Sequence, residues 1–522
     1  MVVALAGDAL FLTLTRKFSG PQLFALFVTL WSVQLVIWGL WSTFVWPHYM
    51  SPLRNLPHPG NSHWLLGHYP QVGVFEKRKW ATIYERTDFI RTLGVFNRET
   101  LLVTSPKAIS EILVSKNYNF PKAHMSRHFA RRYVGHGILD ATGKEHKTQR
   151  RKFAPVFAFG RIRHLYATFW DKAGEATTAM TAACKSGRSA KVDIHAWAVR
   201  CTLDIIGKAG MDVDFGAIQN ENNAIIQSYA DLHQLSWQDA ILTLLSLRFP
   251  EWFVSRIPLQ RNRVFSKSMY HIRKACQKAI QSKKRMMDEK QQSTPDICST
   301  ALESGLFASD ERLTEQLMGF LFTGHHTTAK ALTAAIYALC CFPEKQRLLR
   351  EEIRQVLPPV DGTGEICGDD IENMPYLNAV CKEVLRKYIE AESTREAACE
   401  IMIQGQVIPR GTTIVLSSCY TNTDPVLWGE DANEFKPERW LEDSSGNGGA
   451  TSNYAFLSFM HGPQSCIATR YALGELACLV AAWIGRLEFS LCDKELLNEG
   501  KLPPKALESQ LCVQIRVVEG WP

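Results

Sequence analysis

Residues able to do chemistry gather in four short stretches of this 522-residue chain. Cys466 follows a Gly462-Pro463 turn and precedes an apolar run, residues 472–487, with helical periodicity. A thiol so placed sits near a helix N-terminus, where unpaired N–H groups and the helix dipole favour the thiolate. In Thr323-Gly324-His325-His326-Thr327-Thr328, inside a long apolar helix, Thr327 can bond back to the carbonyl four residues earlier and open the helix locally. His325 and His326, as neighbours on that helix, point about 100° apart, which argues against a shared metal ion. Glu383 and Arg386, three apart, share one helix face, and Phe435-Lys436-Pro437-Glu438-Arg439-Trp440 follows downstream. His146 and Arg150 lie four apart in the fourth stretch.

As a set these stretches resemble the cytochrome P-450 family. Phe459-Met460-His461-Gly462-Pro463-Gln464-Ser465-Cys466-Ile467-Ala468 is similar to the family's haem-binding loop, F-x-x-G-x-R-x-C-x-G. Phe459, Gly462 and Cys466 match; Gln464 stands where the family has arginine, and Ala468 where it usually has glycine. Glu383 and Arg386 resemble the E-x-x-R helix, and Arg439 belongs to a P-E-R motif. The resemblance implies that these three lock together beneath the haem loop in a structural role. Thr323–Thr328 resembles the oxygen-binding segment, A/G-G-x-D/E-T-T/S. There Gly324 would let a flat ligand approach closely, and Thr327 would open a gap for O2 and help deliver protons. His326 replaces the family's acid; a histidine relays protons near neutral pH.

His146 and Arg150 resemble the W-x-x-x-R helix, with histidine for tryptophan, and Arg395 the strand arginine that also reaches a haem propionate. Gln464 can offer that group only neutral hydrogen bonds, so weaker haem retention and a shifted redox potential are expected. Tyr388-Ile389-Glu390-Ala391-Glu392 lacks the family's proline, and the path of that substrate-facing segment is expected to differ.

The resemblance implies a haem-thiolate monooxygenase with haem b (iron protoporphyrin IX), Cys466 being the axial ligand of the iron. Its partners would be O2, a lipophilic small-molecule substrate such as a terpenoid or polyketide, and a separate NADPH-dependent flavin reductase. No G-x-G-x-x-G follows a strand, so the chain is not expected to hold its own flavin. Hinge, anchor and motif style resemble fungal enzymes of secondary metabolism in the endoplasmic reticulum membrane, with a single-pass anchor and a cytosolic catalytic domain. Two alternatives stay open: a haem-thiolate enzyme of rearrangement or dehydration, and a non-catalytic membrane-anchored relative.

These groups need a large scaffold. Most of the chain beyond residue 61 has helical periodicity, with a long apolar helix over 316–338 and a charged amphipathic one over 346–356. Strand-like patches are fewer: 100–104, 401–408, 413–416 and 512–518. A mainly α fold with small β-sheets follows. Residues 1–21 form a short leading segment, in which the weakly apolar 2–15 could lie at an interface. Residues 22–46 are uncharged and long enough for a transmembrane helix, which needs about 20 residues. Residues 47–60, with four prolines, read as a stiff extended hinge, and 61–522 as the catalytic domain. Polar stretches 290–296 and 442–453 read as surface loops, and the apolar run 240–257, with Phe249, Trp252 and Phe253, as ordinary core packing or else a segment that dips into the membrane beside the substrate entrance.

Composition sets the outer limits. A net charge of +7 without a basic tract excludes nucleic acid as the expected partner, though it suits an anionic membrane surface or an acidic protein. The fourteen cysteines scatter through apolar helical contexts, as reduced, mostly buried thiols do.

Overall fold

A computed structural model describes residues 20–68, 80, 83, 87–184, 189–234, 236–246, 249–289, 296–305, 307, 309–360, 364, 366–443, 446–493, 495–498 and 510–521. The expectations for 2–15 and for most of 290–296 lie outside the described residues. The longer helices include α1 (Gly20–Leu40), α2 (His124–Val134), α3 (Gly143–Phe153), α4 (Tyr166–Ala183), α5 (Ile194–Met211), α6 (Ala224–His233), α7 (Gln260–Asp288), α8 (Asp310–Cys341), α9 (Pro343–Val356), α10 (Pro375–Lys387) and α11 (Thr469–Arg486).

Helix α8 is the axis of the molecule. Ser309 caps it by accepting from the Arg312 N–H, and Asp310 and Glu311 place negative charge on its first turn, where the dipole favours it. Its interior is rich in alanine and leucine, and Leu332, Ala334, Ala335, Ile336 and Leu339 are fully buried. Helices α5, α7, α10 and α11 pack around it. Each leucine or isoleucine so removed from water stabilises the fold by roughly 1.5–3 kcal/mol before entropy is counted.

The strands sit at the edges of this bundle. They are β1 (Phe89–Leu93), β2 (Glu99–Val103), β3 (Ala190–Asp193), β4 (Glu392–Glu396), β5 (Ile401–Ile403), β6 (Gln406–Ile408), β7 (Thr413–Ser417), β8 (Leu487–Leu491) and β9 (Cys512–Val517). One mixed sheet runs β1-β2-β7-β4, with β2 and β7 parallel; an antiparallel sheet runs β3-β9-β8; β5 and β6 form a hairpin. The patch expected as one strand over 401–408 is thus two, split by Gln404 and Gly405, both at positive φ, a hairpin-turn geometry.

The stretch expected to be an extended hinge from Pro47 begins instead in helix. Trp41–Met50 continues α1 with a wider, π-type winding that contains Pro47. The Ser51 N–H reaches back five residues to the Trp46 carbonyl at 2.9 Å, and the slack of that winding accommodates a ring that a tight α-turn rejects. The segment is also packed onto the domain. Asn97 donates to the Thr43 and Trp64 carbonyls, both at 2.9 Å, Arg91 donates to the Pro47 carbonyl at 2.5 Å, and Ser51 donates to Glu99 at 2.8 Å. Phe24–Met50 is long and apolar enough to cross a membrane, and the part of it before that joint exposes most of its large apolar side chains.

Candidate functional site

A cavity of about 570 Å3 lies between α8 and the loop that ends at Cys466. Thr323, Gly324, Thr327 and Thr328 line one side; Phe459, Gln464, Ser465 and Cys466 line the other. The loop closes on itself: the Cys466 N–H donates to the Phe459 carbonyl at 2.9 Å and the Ser465 N–H to the Gly462 carbonyl at 3.0 Å. Gly462 has a φ of +73°, and a Cβ there would stand 2.0 Å from the Leu113 carbonyl oxygen, so only glycine fits. Helix α11 starts at Thr469, whose hydroxyl donates to the Cys466 carbonyl at 3.1 Å. Cys466 is open to the cavity that it lines, inside the surrounding protein. Burial pushes the thiol up, while the Ala468 N–H, the Thr469 hydroxyl and the Arg150 charge favour the thiolate.

Cations gather on the wall beside this loop. Arg150 reaches from α3 to the Ser465 carbonyl and, at 3.2 Å, to its hydroxyl. Arg395, on β4, donates to the side-chain oxygen of Gln464, whose amide donates in turn to Asn117 at 2.9 Å. Lys122, which the motifs do not flag, donates to the Leu139 carbonyl at 2.7 Å and lines the same cavity. Burial, then the charge of Arg395, lowers Lys122 to about 8; burial lowers Arg395 to about 10. His146 is lowered to about 4 by burial first, then by Lys122, Arg150 and Arg395. It therefore adds a neutral hydrogen-bonding ring to the wall and no charge.

Beneath the loop, Glu383 is fully buried. Arg386 grips it with two parallel bonds of 2.8 Å, and Arg439 approaches at 3.2 Å. The Lys436 N–H (2.9 Å) and the Trp440 indole N–H (3.0 Å) complete its shell. Arg386 also donates to the carbonyls of Asn422, Ala432 and Glu434, so one ion cluster fixes α10 to the meandering segment before the loop. Asn422 carries the connection onward, donating to Ser458 and accepting from the Leu457 N–H at the start of the loop.

Two expectations for α8 need correcting. The helix is continuous through Thr323–Thr328: the Thr327 hydroxyl does donate to the Thr323 carbonyl at 2.9 Å, but the turn stays α-helical around it. Gly324 lines the cavity, and a Cβ on it would also meet the Ile206 side chain at 2.7 Å, so the missing side chain serves the contact between α8 and α5 as well. His326 does not line the cavity. Its ring lies 4.1 Å from that of His233 on α6 and 6.5 Å from that of His195 on α5. One step along a helix turns a side chain by about 100°, so Thr327 faces the cavity while His326 faces the neighbouring helices. Burial, then His325, His233, Lys330 and His195, holds His326 down at about 2; His325, beside Tyr229, is held at about 4, chiefly by burial. Neither is poised near neutral pH.

Sequence reasoning also missed Glu475 on α11. It is fully buried beside the Thr328 hydroxyl, and burial pushes its carboxyl well up, toward the neutral form. A helical repeat signals core at that position, and nothing in the repeat tells which core side chain is polar.

The group implied by the loop motif is haem, and the residues fit it. Arg395 Nε is buried without a hydrogen-bond partner. Lys122 and Arg150 line the cavity beside a thiol and Arg395 lies just behind Gln464, an arrangement suited to a flat ligand with two negative carboxylates at one edge and a metal at its centre. Cys466 would hold the iron, and Lys122, Arg150, Arg395 and His146 the propionates.

Comparison with known proteins agrees. The family model described as cytochrome P-450 matches residues 57–509. The chain is 39% identical over 501 residues to the cytochrome P-450 monooxygenase sphH of Aspergillus fumigatus, covering 92% of this chain and 91% of that one. It is 38% identical over 517 residues to the monooxygenase FUM15 of Gibberella moniliformis (88% and 87% covered). To ALT8 of Alternaria alternata it is 36% identical over 559 residues (93% of each).

Proposed function

Because this chain belongs to the cytochrome P-450 family, we propose that it is a membrane-anchored haem b monooxygenase that oxidises a lipophilic small molecule in secondary metabolism. It would draw electrons from an NADPH-dependent flavin reductase and act with its catalytic domain in the cytosol, at the endoplasmic reticulum membrane. The observation that carries the reading is the Cys466 thiol facing Thr327 across one cavity, with Lys122 and Arg150 on its wall and Arg395 behind Gln464. When bound, haem supplies the electron-transfer and oxygen chemistry.

The protein's share is positioning. Cys466 presents its sulfur where the start of α11 and the Arg150 charge favour the thiolate. Thr327 keeps a hydroxyl on the opposite wall, and rotating it off the Thr323 carbonyl would let it hold a proton for the cavity. Phe157, Ile206, Phe320 and Leu385 exclude water and suit an apolar substrate. On the outer face, α3 exposes Lys144, Lys147, Arg151 and Lys152, a patch suited to an acidic electron donor.

The reduced, carbon monoxide-treated protein tests the reading. A strongly red-shifted Soret band, absent in Cys466→Ala, is expected, together with NADPH consumption that needs both reductase and substrate. Turnover without NADPH would make the enzyme a rearrangement or dehydration catalyst; well-folded protein that takes up no haem would make it non-catalytic.

A further inference from the structure

The sheet β3-β9-β8 brings two cysteines together away from the cavity. Leu491 of β8 pairs with Val513 of β9, so Cys492 and Cys512 are the next cross-strand partners. The Cys492 N–H donates to the Cys512 carbonyl at 3.3 Å, and the two sulfur atoms lie 3.1 Å apart in thiol–thiol contact. Directly opposed residues in an antiparallel pair hold their Cα atoms about 4.5–5.5 Å apart, inside the range that a disulfide spans without backbone movement. Cys512 is exposed and Cys492 half-buried, an arrangement with one thiol that solvent reaches first and one behind it. Burial and then the neighbouring Cys512 push the Cys492 thiol up to about 11, against which the charge of Lys191, on β3, works. The other thiols are placed differently. Most are buried, exposed Cys367 and Cys399 form no such pair, and Cys466 belongs to the cavity.

We propose that Cys492 and Cys512 form a reversible redox dithiol that is oxidised by low-molecular-weight disulfides. The Cys512 thiolate attacks one sulfur of the oxidant, forming a mixed disulfide and releasing one small thiol. The Cys492 thiolate then attacks the Cys512 sulfur and releases the second small thiol. Two protein thiols and one small disulfide thereby become one protein disulfide and two small thiols, with protons and electrons balanced. The bond would close the loop between β8 and β9, a segment tied to the core through the hydrogen bond from the Tyr337 hydroxyl to the Leu496 carbonyl at 3.0 Å. Closing that loop restricts the unfolded chain and raises stability.

The full-length holoenzyme, reduced with dithiothreitol and then incubated with oxidised glutathione, tests this. Remaining thiols are alkylated and the digest is read by mass spectrometry. The expected product is a Cys492–Cys512 linked peptide that dithiothreitol removes, with a glutathione adduct on Cys512 in Cys492→Ser. The oxidised wild type should melt at a higher temperature than the reduced form, and that difference should vanish in Cys492→Ser and Cys512→Ser. Glutathione adducts without the linked peptide, or two unmodified cysteines, would overturn the proposal. So would a melting shift that survives in both serine variants. Haem content and the carbon monoxide band are read in parallel, so failure of the haem reading is distinguished from failure of this one.

Discussion

The Gln464 side chain accepts a hydrogen bond from the Arg395 guanidinium and donates another to Asn117. The residue that replaces a cation in the haem loop thus acts as a spacer: it orients a neighbouring arginine without adding charge of its own. The positive charge there comes from Arg150 and Lys122 on the cavity wall and from Arg395 behind Gln464.

Lys122→Met should therefore speed haem loss to a haem-scavenging protein by about tenfold, equivalent to about 1.4 kcal/mol, with the fold unchanged. Gln464→Arg should slow haem loss and raise the reduction potential, since added positive charge favours the reduced iron. Unchanged haem release in both variants would remove these residues from the propionate wall.

Glu383→Ala should destabilise the protein by about 3–5 kcal/mol, because Arg386 and Arg439 would remain buried without their counter-charge. Urea unfolding followed by tryptophan fluorescence reads this out. A loss below about 1 kcal/mol, the range of exposed pairs, would mean the cluster does not lock the loop.

Stability should fall in mild acid for a specific reason. His325 titrates near 6.5 when exposed and at about 4 in the folded protein, so the unfolded chain binds the extra proton first. The stabilisation is complete above about pH 6.5 and is lost as pH drops toward 4, at up to about 1.4 kcal/mol per pH unit for a fully buried group. Comparing urea midpoints at pH 7 and pH 5 for the wild type and His325→Gln measures it; the variant should show a shallower decline. His326, lowered further and facing His233 and His195, is neutral throughout that range. Accordingly, His326→Gln should leave the pH profile of turnover between 6 and 8 unshifted.

Trp252 is 62% exposed, and Phe249 and Phe253 flank it at 43% each. Three large apolar side chains at one exposed site fit an interfacial membrane contact. Replacing Trp252 and Phe253 by serine should lower vesicle binding of a chain lacking residues 1–50; equal binding would assign the patch to another role.

What the sequence made legible follows from local rules. The long helix, the turn before Cys466 and the Glu383–Arg386 face each depend on spacing within a few residues, and the structure has them where spacing puts them. What stayed hidden depends on which neighbour a side chain meets. Lys122 lies in an unpatterned stretch and gains meaning only from Arg395, far away in sequence. A second purpose of Gly324 is set by Ile206 on another helix. The orientation of His326 follows from its helix angle relative to Thr327, but the partners it finds there, His195 and His233, come from α5 and α6.

The joint formed by Asn97, Arg91 and Ser51 makes the apolar N-terminal helix a lever and not a leash. A helix in a bilayer tilts to match the thickness of the hydrocarbon layer. With its lower end bolted to the sheet, that tilt turns the whole catalytic body, so lipid thickness would set the pitch at which the cavity meets the membrane surface.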